Sequence, residues 1–292
     1  MDIVITYVDG SDPLWQQDYQ AAAGRDFLAK RYRDWDTLPF LLRGIERHLP
    51  FAGQVFLAVS RESQVPAWAN PDHLKVVFHR DFIPQQCLPT FNSAAIELFL
   101  HRIPGLSERF LYLNDDIFPV ADALESDFFT ENGIATGFSR HLLATNQFKR
   151  HCRNADRLAR QALGLPLRPF FLRPQHACMP MLKSACAAVF DRVQQPLLRS
   201  VTPLRADSNV NQYLYPDYLY LSGRALNRRI SNRHISLGST TPGRLDALIR
   251  QPGHQFLSIN DVEMSQARFD AFRAVLLSAF AARFPEKSRY ER

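Results

Sequence analysis

Short apolar segments alternate with helical patterns along the first part of the chain, and this alternation constrains the fold more than any other feature. The apolar segments have the length of buried strands and end in polar turns. Strands are predicted at residues 3–8, 55–59, 74–78 and 110–113, and helices at 37–48 and 93–102. Strands separated by helices are typical of an α/β fold with a largely parallel sheet flanked by helices. In such sheets, ligands bind beyond the carboxyl ends of the strands.

Polar residues follow two of these strands and indicate where a site would lie. Asp9, Gly10, Ser11 and Asp12 come after the first strand, and Asn114, Asp115 and Asp116 come after the fourth. Adjacent carboxylates repel each other, so they persist together where a cation or a cluster of positive charge compensates them. The same spacing also fits a surface turn with a capping side chain. The residues alone therefore leave a cation site and a plain turn open.

The second half of the chain is mainly helical by pattern. Helical spacing recurs at residues 154–163 and 182–198, and an aromatic stretch, YLYPDYLYL, occupies 213–221. A C-terminal amphipathic helix carries Phe269, Phe272 and Leu276 on one side. The 292 residues are 46% apolar and show no repeat or linker, which predicts one large domain.

Charge and cysteine content exclude several classes of protein. The net charge is +6, and the basic residues look dispersed, without the long Lys/Arg block of a nucleic-acid arm. This balance favours anionic substrates or an anionic membrane surface. The four cysteines lack metal-ligand spacing and are expected to be reduced. The N-terminus does not resemble a signal peptide, and no apolar run approaches the ~18 residues of a membrane span. We expect a cytoplasmic protein and leave peripheral association with the inner face of the membrane open.

Four stretches of the sequence together resemble one protein family. They are DIVITYVDGSDPLW at 2–15, the region 31–118 with LPTFNS, IPGLSE and YLNDD, the segment from His176 through LRADSN, and QFLSIND at 255–261. In this order they resemble the Stealth family of sugar-1-phosphate transferases. That family includes bacterial capsular and exopolysaccharide phosphotransferases and the animal N-acetylglucosamine-1-phosphotransferase. The resemblance covers nearly the whole chain and is loose from Gly137 to Pro174.

The resemblance implies a fold, a domain organisation and a reaction. A Rossmann-like, GT-A-like core that binds a nucleotide sugar would occupy residues 1–136. A variable segment would follow at 137–175, and residues 176–292 would complete the active site of a single catalytic domain spanning 1–292. The implied enzyme is a phosphotransferase of capsular or exopolysaccharide synthesis. A hydroxyl of a glycan acceptor attacks the β-phosphorus of a UDP-sugar, with UDP-N-acetylglucosamine as the default donor, and UMP leaves.

The resemblance also implies catalytic and metal-binding residues. Asp116, His176 and Arg205 would be catalytic, with His176 acting as a base or as a donor to phosphate. Arg205 would hold phosphate through two parallel hydrogen bonds. Mg²⁺ or Mn²⁺ would bind the oxygen ligands Asp115, Asp116 and Asp261. Asp261 departs from the pattern, because Val262 follows it in place of a second acid and Ser258 replaces the more usual cysteine.

The resemblance also implies that residues in three further groups of the family's motifs bind substrate. They are Asp9, Gly10, Ser11, Asp12, Arg33, Asp34, Asn92 and Ser93. Several have an alternative structural role that the sequence leaves open. Arg33 and Asp34 can form ion pairs that only stabilise the fold, Asn92 and Ser93 can cap a helix, and Arg205 can pair with Asp207.

Two other functions compete with the leading one. A metal-dependent glycosyltransferase would use the same paired carboxylates but would release UDP in place of UMP. A non-catalytic polysaccharide-binding protein would use the aromatic stretch from Tyr213 to Tyr220. The sequence gives no indication of an oligomeric state.

Overall fold

The computed structural model describes residues 1–24, 26 and 31–292. The strands are β1 Asp2–Thr6, β2 Val55–Val59, β3 Leu74–Phe78, β4 Arg109–Asn114, β5 Ile117–Pro119, β6 Ile134–Thr136, β7 Phe138–His141, β8 Phe171–Pro174, β9 Met179–Leu182, β10 Ala225–Asn227, β11 Asn232–Ser236 and β12 Phe256–Asn260. The α-helices are α1 Pro13–Ala23, α2 Leu38–His48, α3 His79–Phe82, α4 Ser93–Glu97, α5 Gln147–Ala162, α6 Lys183–Arg192, α7 Gln194–Ser200, α8 Leu214–Leu221, α9 Pro242–Arg250 and α10 Gln266–Arg283.

The central sheet has five strands in the order β3-β2-β1-β4-β9. The first four strands are parallel, and β9 runs antiparallel to β4. Because parallel strands share a direction, β1 and β4 deliver their carboxyl ends to the same edge of the sheet. The predicted α/β fold with a largely parallel sheet and a mainly helical second half is confirmed.

A second, three-stranded sheet meets the central sheet at the two adjacent aspartates. Its order is β11-β12-β5, with β11 and β12 parallel and β12 antiparallel to β5. Asp115 and Asp116 form the turn that joins β4 of the central sheet to β5 of the second sheet. The turn is therefore held between two sheets.

Apolar side chains of the central sheet alternate between two core clusters. Ile3 and Ile5 pack in a cluster that includes residues of α2 and α10, whereas Val4 packs in a cluster that includes residues of α5 and α8. This is the period of two that a strand covered on both faces produces. Within the described residues, none of the helices has both the length and the apolar character that crossing a membrane requires.

Several predicted boundaries and one predicted surface are wrong. β1 ends at Thr6, and the helix predicted at 93–102 is α4 followed by a separate 3₁₀ turn at Leu100–Arg102. The helix predicted from residue 154 begins at Gln147, because Asn146 caps it by accepting from Lys149 N. The aromatic stretch forms α8 and the residue before it. Tyr213, Tyr215 and Tyr218 are buried there, so they offer no surface to a polysaccharide.

Candidate active site

A cavity of about 960 Å³ lies at the carboxyl ends of β1 and β4. Its lining runs from Tyr7 to Leu276 and so draws on most of the chain. Several residues predicted to act together line this one cavity, namely Arg33, Asp34, Ser93, Asp115, Asp116, His176, Arg205 and Asp261. The cavity contains side chains from all four stretches that carry the family resemblance, with Tyr7 and Val8 from the first.

Both of the paired aspartates have pKa values well above the ordinary range of a carboxyl group. Burial, and after it the negative charges of Asp116 and Asp34, raise the pKa of Asp115 to about 8. Burial raises the pKa of Asp116 to about 6, against the lowering effect of His234 and Arg205. The main chain of the turn is fixed, since Ile259 N donates to Asp116 O at 2.9 Å.

The aspartate pair fits a divalent cation. Asp116 Oδ1 is buried and has no hydrogen-bond partner within the described residues, so one carboxylate oxygen lacks compensation. Mg²⁺ is commonly held by one or two carboxylates together with substrate phosphates and water. The described residues contain no group of three or more His, Cys, Asp or Glu arranged to hold a metal ion. The structure therefore does not bring Asp261 into a metal-ligating group with the pair.

Asp261 has a different partner in the cavity wall. Its Oδ2 lies 3.3 Å from Arg33 Nε, and both side chains are largely buried. The Arg33 guanidinium also lies 4.7 Å from the ring centroid of Phe269, a cation–π contact. Arg33 and Asp261 thus line the cavity as an ion pair. Asp34 accepts a hydrogen bond of 2.7 Å from the hydroxyl of Tyr7.

Arg205 reaches the cavity from a loop that is tied to two helices. Its Nη2 donates to Ser93 Oγ at 2.7 Å, at the start of α4. On the other side, the ring of His151 in α5 lies 2.7 Å from Ala206 O. The alternative pairing of Arg205 with Asp207 is not seen within the described residues, where Asp207 lies 3.1 Å from Arg150 Nε. Arg205 keeps its remaining guanidinium nitrogens available to a ligand in the cavity.

Asn92 does not line the cavity and is fully buried. Its Oδ1 accepts from Ala94 N at 3.1 Å and caps α4. Its Nδ2 donates to Thr202 O at 3.1 Å and to Asn209 Oδ1 at 3.0 Å, both in the loop that carries Arg205. The geometry thus favours the structural alternative for Asn92, extended by a role in positioning the arginine loop.

His176 lies in the connection between β8 and β9 and contacts β11 of the second sheet. It follows β8, and Asn232 Nδ2 donates to its main-chain oxygen at 3.1 Å. Its Nδ1 lies 3.5 Å from the hydroxyl of Tyr213. Burial first, and then the positive charge of Arg173, lower the pKa of His176 to about 4. The imidazole is therefore neutral at pH 7 and can accept a proton.

The cavity contains titratable residues that sequence reasoning missed, among them His234 and Glu97. His234 lies on β11, with its ring centroid 6.2 Å from that of His176, and its charge influences Asp116. Glu97 ends α4, and burial raises its pKa to about 7 while Arg205 opposes the shift. Glu97 could have been found, because it lies four residues after Ser93 and so on the same helix face. His234 has no comparable signal in the sequence.

The first motif, residues 9–12, lies outside the cavity lining, although Tyr7 and Val8 just before it belong to the lining. Asp12 caps α1 through Leu14 N at 3.0 Å and accepts from Gln64 Nε2 at 2.8 Å. Asp9 accepts from Ser11 N at 2.8 Å and from Ser11 Oγ at 2.6 Å. These four residues were expected to contact the nucleotide, but their visible contacts hold the turn itself together.

Gly10 is required by the close approach of a neighbouring main chain. A Cβ at this position would lie 2.3 Å from Tyr32 O, and Gly10 N donates to that same oxygen at 2.8 Å. The two residues that follow Tyr32 in the chain, Arg33 and Asp34, line the cavity. The first motif therefore acts on the cavity indirectly, by placing this segment.

A cavity that combines paired carboxylates, a neutral imidazole and a guanidinium at the carboxyl edge of a parallel sheet is typical of an α/β transferase. Residues 31–136 match the family described as Stealth protein CR2, conserved region 2. The chain is 31% identical over its whole length to the exopolysaccharide phosphotransferase SCO2592 of Streptomyces coelicolor. It is 27% identical over its whole length to the capsular polysaccharide phosphotransferase WcwK of Streptococcus pneumoniae. The chain belongs to the Stealth family, whose named relatives are transferases.

The relatives differ in how much of their length this chain covers. The chain spans 33% of the Streptomyces protein and 99% of WcwK. One similar solved structure is that of the galactosyltransferase LgtC in complex with donor and acceptor sugar analogues. LgtC is 13% identical to this chain in sequence, and the two superpose with a TM-score of 0.41 over 99% of this chain and 98% of LgtC. GlyE, a glycosyltransferase of Streptococcus pneumoniae, is 11% identical with a TM-score of 0.41, over 99% of this chain and 66% of GlyE.

Proposed function

We propose that the chain transfers a hexose- or N-acetylhexosamine-1-phosphate from a UDP-sugar to a hydroxyl of a glycan acceptor and releases UMP. The observation that carries the proposal is the single cavity in which Asp115, Asp116, His176 and Arg205 meet. The relatives named as capsular and exopolysaccharide phosphotransferases support a role in synthesis of such a polymer. UDP-N-acetylglucosamine is the default donor.

His176 would be the base toward the acceptor. Because its pKa is lowered to about 4, the ring is unprotonated at neutral pH and ready to take the hydroxyl proton. The Tyr213 hydroxyl occupies the Nδ1 side, which leaves Nε2 for the acceptor. As the acceptor oxygen bonds to the β-phosphorus, the bond from that phosphorus to the UMP oxygen breaks. Asp116 remains the alternative base.

Arg205 would neutralise charge on the transferring phosphate. Its contact with Ser93 fixes one guanidinium nitrogen, and because Arg205 lines the cavity the other nitrogens would contact the phosphate. A planar guanidinium can contact two phosphate oxygens at once, which a lysine cannot do. Positioned charge of this kind is the main form of catalysis in phosphoryl transfer.

Asp115 and Asp116 would hold Mg²⁺ or Mn²⁺ at the donor pyrophosphate. A bound divalent cation neutralises phosphate charge and orients the leaving group. Burial raises the pKa of both carboxylates, and for Asp115 the charge of Asp116 adds to the effect; a bound cation would offset that cost. Arg33 and Asp34 would shape the donor side of the cavity, Asp261 would orient Arg33, and Ser93 would orient Arg205.

The released nucleotide decides between this reaction and ordinary glycosyl transfer. The purified chain is incubated with UDP-sugars, divalent cation and a glycan acceptor, and the nucleotide product is identified. We expect UMP, with release that is slower by at least tenfold in His176→Ala. The matched control is His73→Ala, at an exposed histidine outside the cavity. Release of UDP, or equal loss in both variants, would contradict the proposal. A cytoplasmic location, where nucleotide sugars are made, belongs to the same proposal.

A further inference from the structure

The positive charge of the chain is concentrated in one segment. Residues 137–175 contain eight basic residues and one acidic residue, a net charge of +7 in a chain whose total is +6. The basic residues themselves are dispersed, with 27 of the 35 outside this segment, but acidic residues balance those elsewhere and not here. The single acid, Asp156, is buried and paired with Arg160 at 2.8 Å, so its charge is compensated within the protein.

The same segment exposes most of the large apolar side chains found at the surface. Seven such side chains are exposed among the described residues, and four of them lie here. They are Leu142, Leu143, Leu165 and Leu167, with exposed fractions of 64%, 70%, 38% and 64%. Single exposed leucines need no explanation, but four on two neighbouring loops indicate a contact surface.

The exposed leucines and arginines form one continuous surface. Arg153 Nη2 donates to Leu142 O at 3.1 Å, which joins the first loop to α5. Arg153 also lines a depression of about 250 Å³ together with Arg157, Leu167 and Arg168. We call this the leucine–arginine surface, comprising Arg140, Leu142, Leu143, Arg153, Arg157, Leu165, Leu167 and Arg168.

The arginines of this surface are held without acidic partners. The Arg140 guanidinium lies 5.0 Å from the ring centroid of Phe170, and that of Arg153 lies 5.3 Å from Phe171. None of the four arginines of the surface forms an ion pair within the described residues, whereas Arg43, Arg109 and Arg250 elsewhere do. Their charge is available to an anionic partner.

The surface adjoins the mouth of the catalytic cavity. Ser139 and Asn146 both line the cavity, and Leu142 and Leu143 lie in the loop between them. Arg140 is paired across the β7–β8 ladder with Leu172, next to the cavity-lining Arg173. A partner on the leucine–arginine surface would therefore sit beside the cavity entrance.

We propose that the leucine–arginine surface docks the protein on an anionic lipid bilayer, so that the cavity opens beside the membrane. Exposed leucines that enter the interface, surrounded by arginines that contact acidic head groups, are the pattern of interfacial binding. A soluble anionic glycan would account for the arginines but not for four solvent-exposed leucines. The role of the docking, access to an acceptor held at the membrane, rests on the proposed function, whereas the docking itself does not.

The test measures sedimentation of the full chain with vesicles, in the absence of any substrate. We expect binding to phosphatidylcholine vesicles that contain phosphatidylglycerol, weak binding to phosphatidylcholine alone, and a loss of binding at high salt. One basic side chain near such a surface strengthens binding about five-fold. Arg168→Glu should therefore weaken binding on the order of tenfold, and the control Arg244→Glu, an exposed arginine on α9, should change it less than twofold.

The apolar part of the surface is tested by a matched pair of double variants. Leu142→Ser with Leu143→Ser should lower binding at least tenfold. Leu14→Ser with Leu124→Ser, at exposed leucines outside the surface, should leave it unchanged. All variants should retain nucleotide release with a soluble acceptor, which shows that they are folded.

Three results would overturn the docking proposal. They are absence of vesicle binding, equal binding with and without phosphatidylglycerol, and equal losses in surface and control variants. Binding to a soluble anionic polysaccharide that depends on Arg168 but not on Leu142 and Leu143, without vesicle binding, would assign the surface to a glycan. Vesicle binding by a chain that releases UDP would preserve the docking and refute the proposed reaction alone.

Discussion

The substitution Asn92→Asp tests whether Asn92 binds substrate or positions the loop that carries Arg205. The substitution preserves shape and keeps the oxygen that caps α4 through Ala94 N. It converts the donor Nδ2 into an acceptor, which then faces Thr202 O and Asn209 Oδ1 at about the present 3.1 and 3.0 Å. Two buried hydrogen bonds become two acceptor–acceptor contacts at a fully buried site.

The cost of the substitution follows from these two contacts. Thr202 O and the new carboxylate oxygen are left without a donor, while Asn209 Oδ1 keeps its hydrogen bond from Ala206 N. Each such buried acceptor costs about 1–3 kcal/mol, so the free energy of unfolding should fall by about 2–6 kcal/mol. The new negative charge near the start of α4 stabilises the folded chain by less than about 1 kcal/mol and does not offset the loss of the two hydrogen bonds. Denaturant titration measures the change. Asn70→Asp is the control, since Asn70 also donates to a main-chain oxygen but at an exposed site, and it should lose less than about 1 kcal/mol.

The activity of the same variant tests whether Asn92 acts through Arg205. Arg205→Lys should lower UMP release on the order of a hundredfold, about 3 kcal/mol, because a point charge replaces the planar guanidinium. If Asn92 only positions this arginine, the double variant Asn92→Asp, Arg205→Lys should be no slower than Arg205→Lys alone. Fully additive losses in rate, or a folded Asn92→Asp variant that changes only donor affinity, would refute the reasoning and return Asn92 to the substrate-binding residues.

Three further predictions concern protonation and metal. His176→Ala should slow transfer with little change in donor binding measured by calorimetry. The substitution should also remove the acidic limb of the pH–rate profile, which should lie near pH 4 rather than in the ordinary histidine range of about 6 to 7. Chelation should abolish transfer and Mg²⁺ or Mn²⁺ should restore it, with Asp115→Asn inactive in either ion; full activity in chelator would exclude the metal. Burial lowers the pKa of His79 in the folded chain to about 4, below its ordinary value of about 6.5. As pH falls, the imidazole is therefore protonated in the unfolded chain before it is protonated in the folded chain. The stability that is present above about pH 6.5 should be lost as pH falls toward 4. His79→Phe should remove about 2 kcal/mol of that loss, as measured by denaturant titration at pH 7.5 and 5.

The sequence alone determined the four parallel strands of the central sheet and the place where a site would form. β2 and β3 have the bounds that the apolar runs predict, and β4 extends its predicted run by one residue at each end. These features are local, because a strand covered on both faces needs a continuous apolar run wherever it lies. Asp115 and Asp116 were located for the same reason, since the end of a buried strand is visible in the sequence and parallel strands open their carboxyl ends at one edge.

Only the tertiary structure decided which polar side chains face the cavity and which hold the chain together. Asp12 and Asn92 have the residue types of a binding site, yet their partners Gln64 and Asn209 lie 52 and 117 residues away. A polar side chain is satisfied by whatever donor or acceptor the fold brings within about 3 Å, and periodicity carries no information about a group so distant in sequence. His234 entered the cavity for the same reason, through the pairing of β11 with β12.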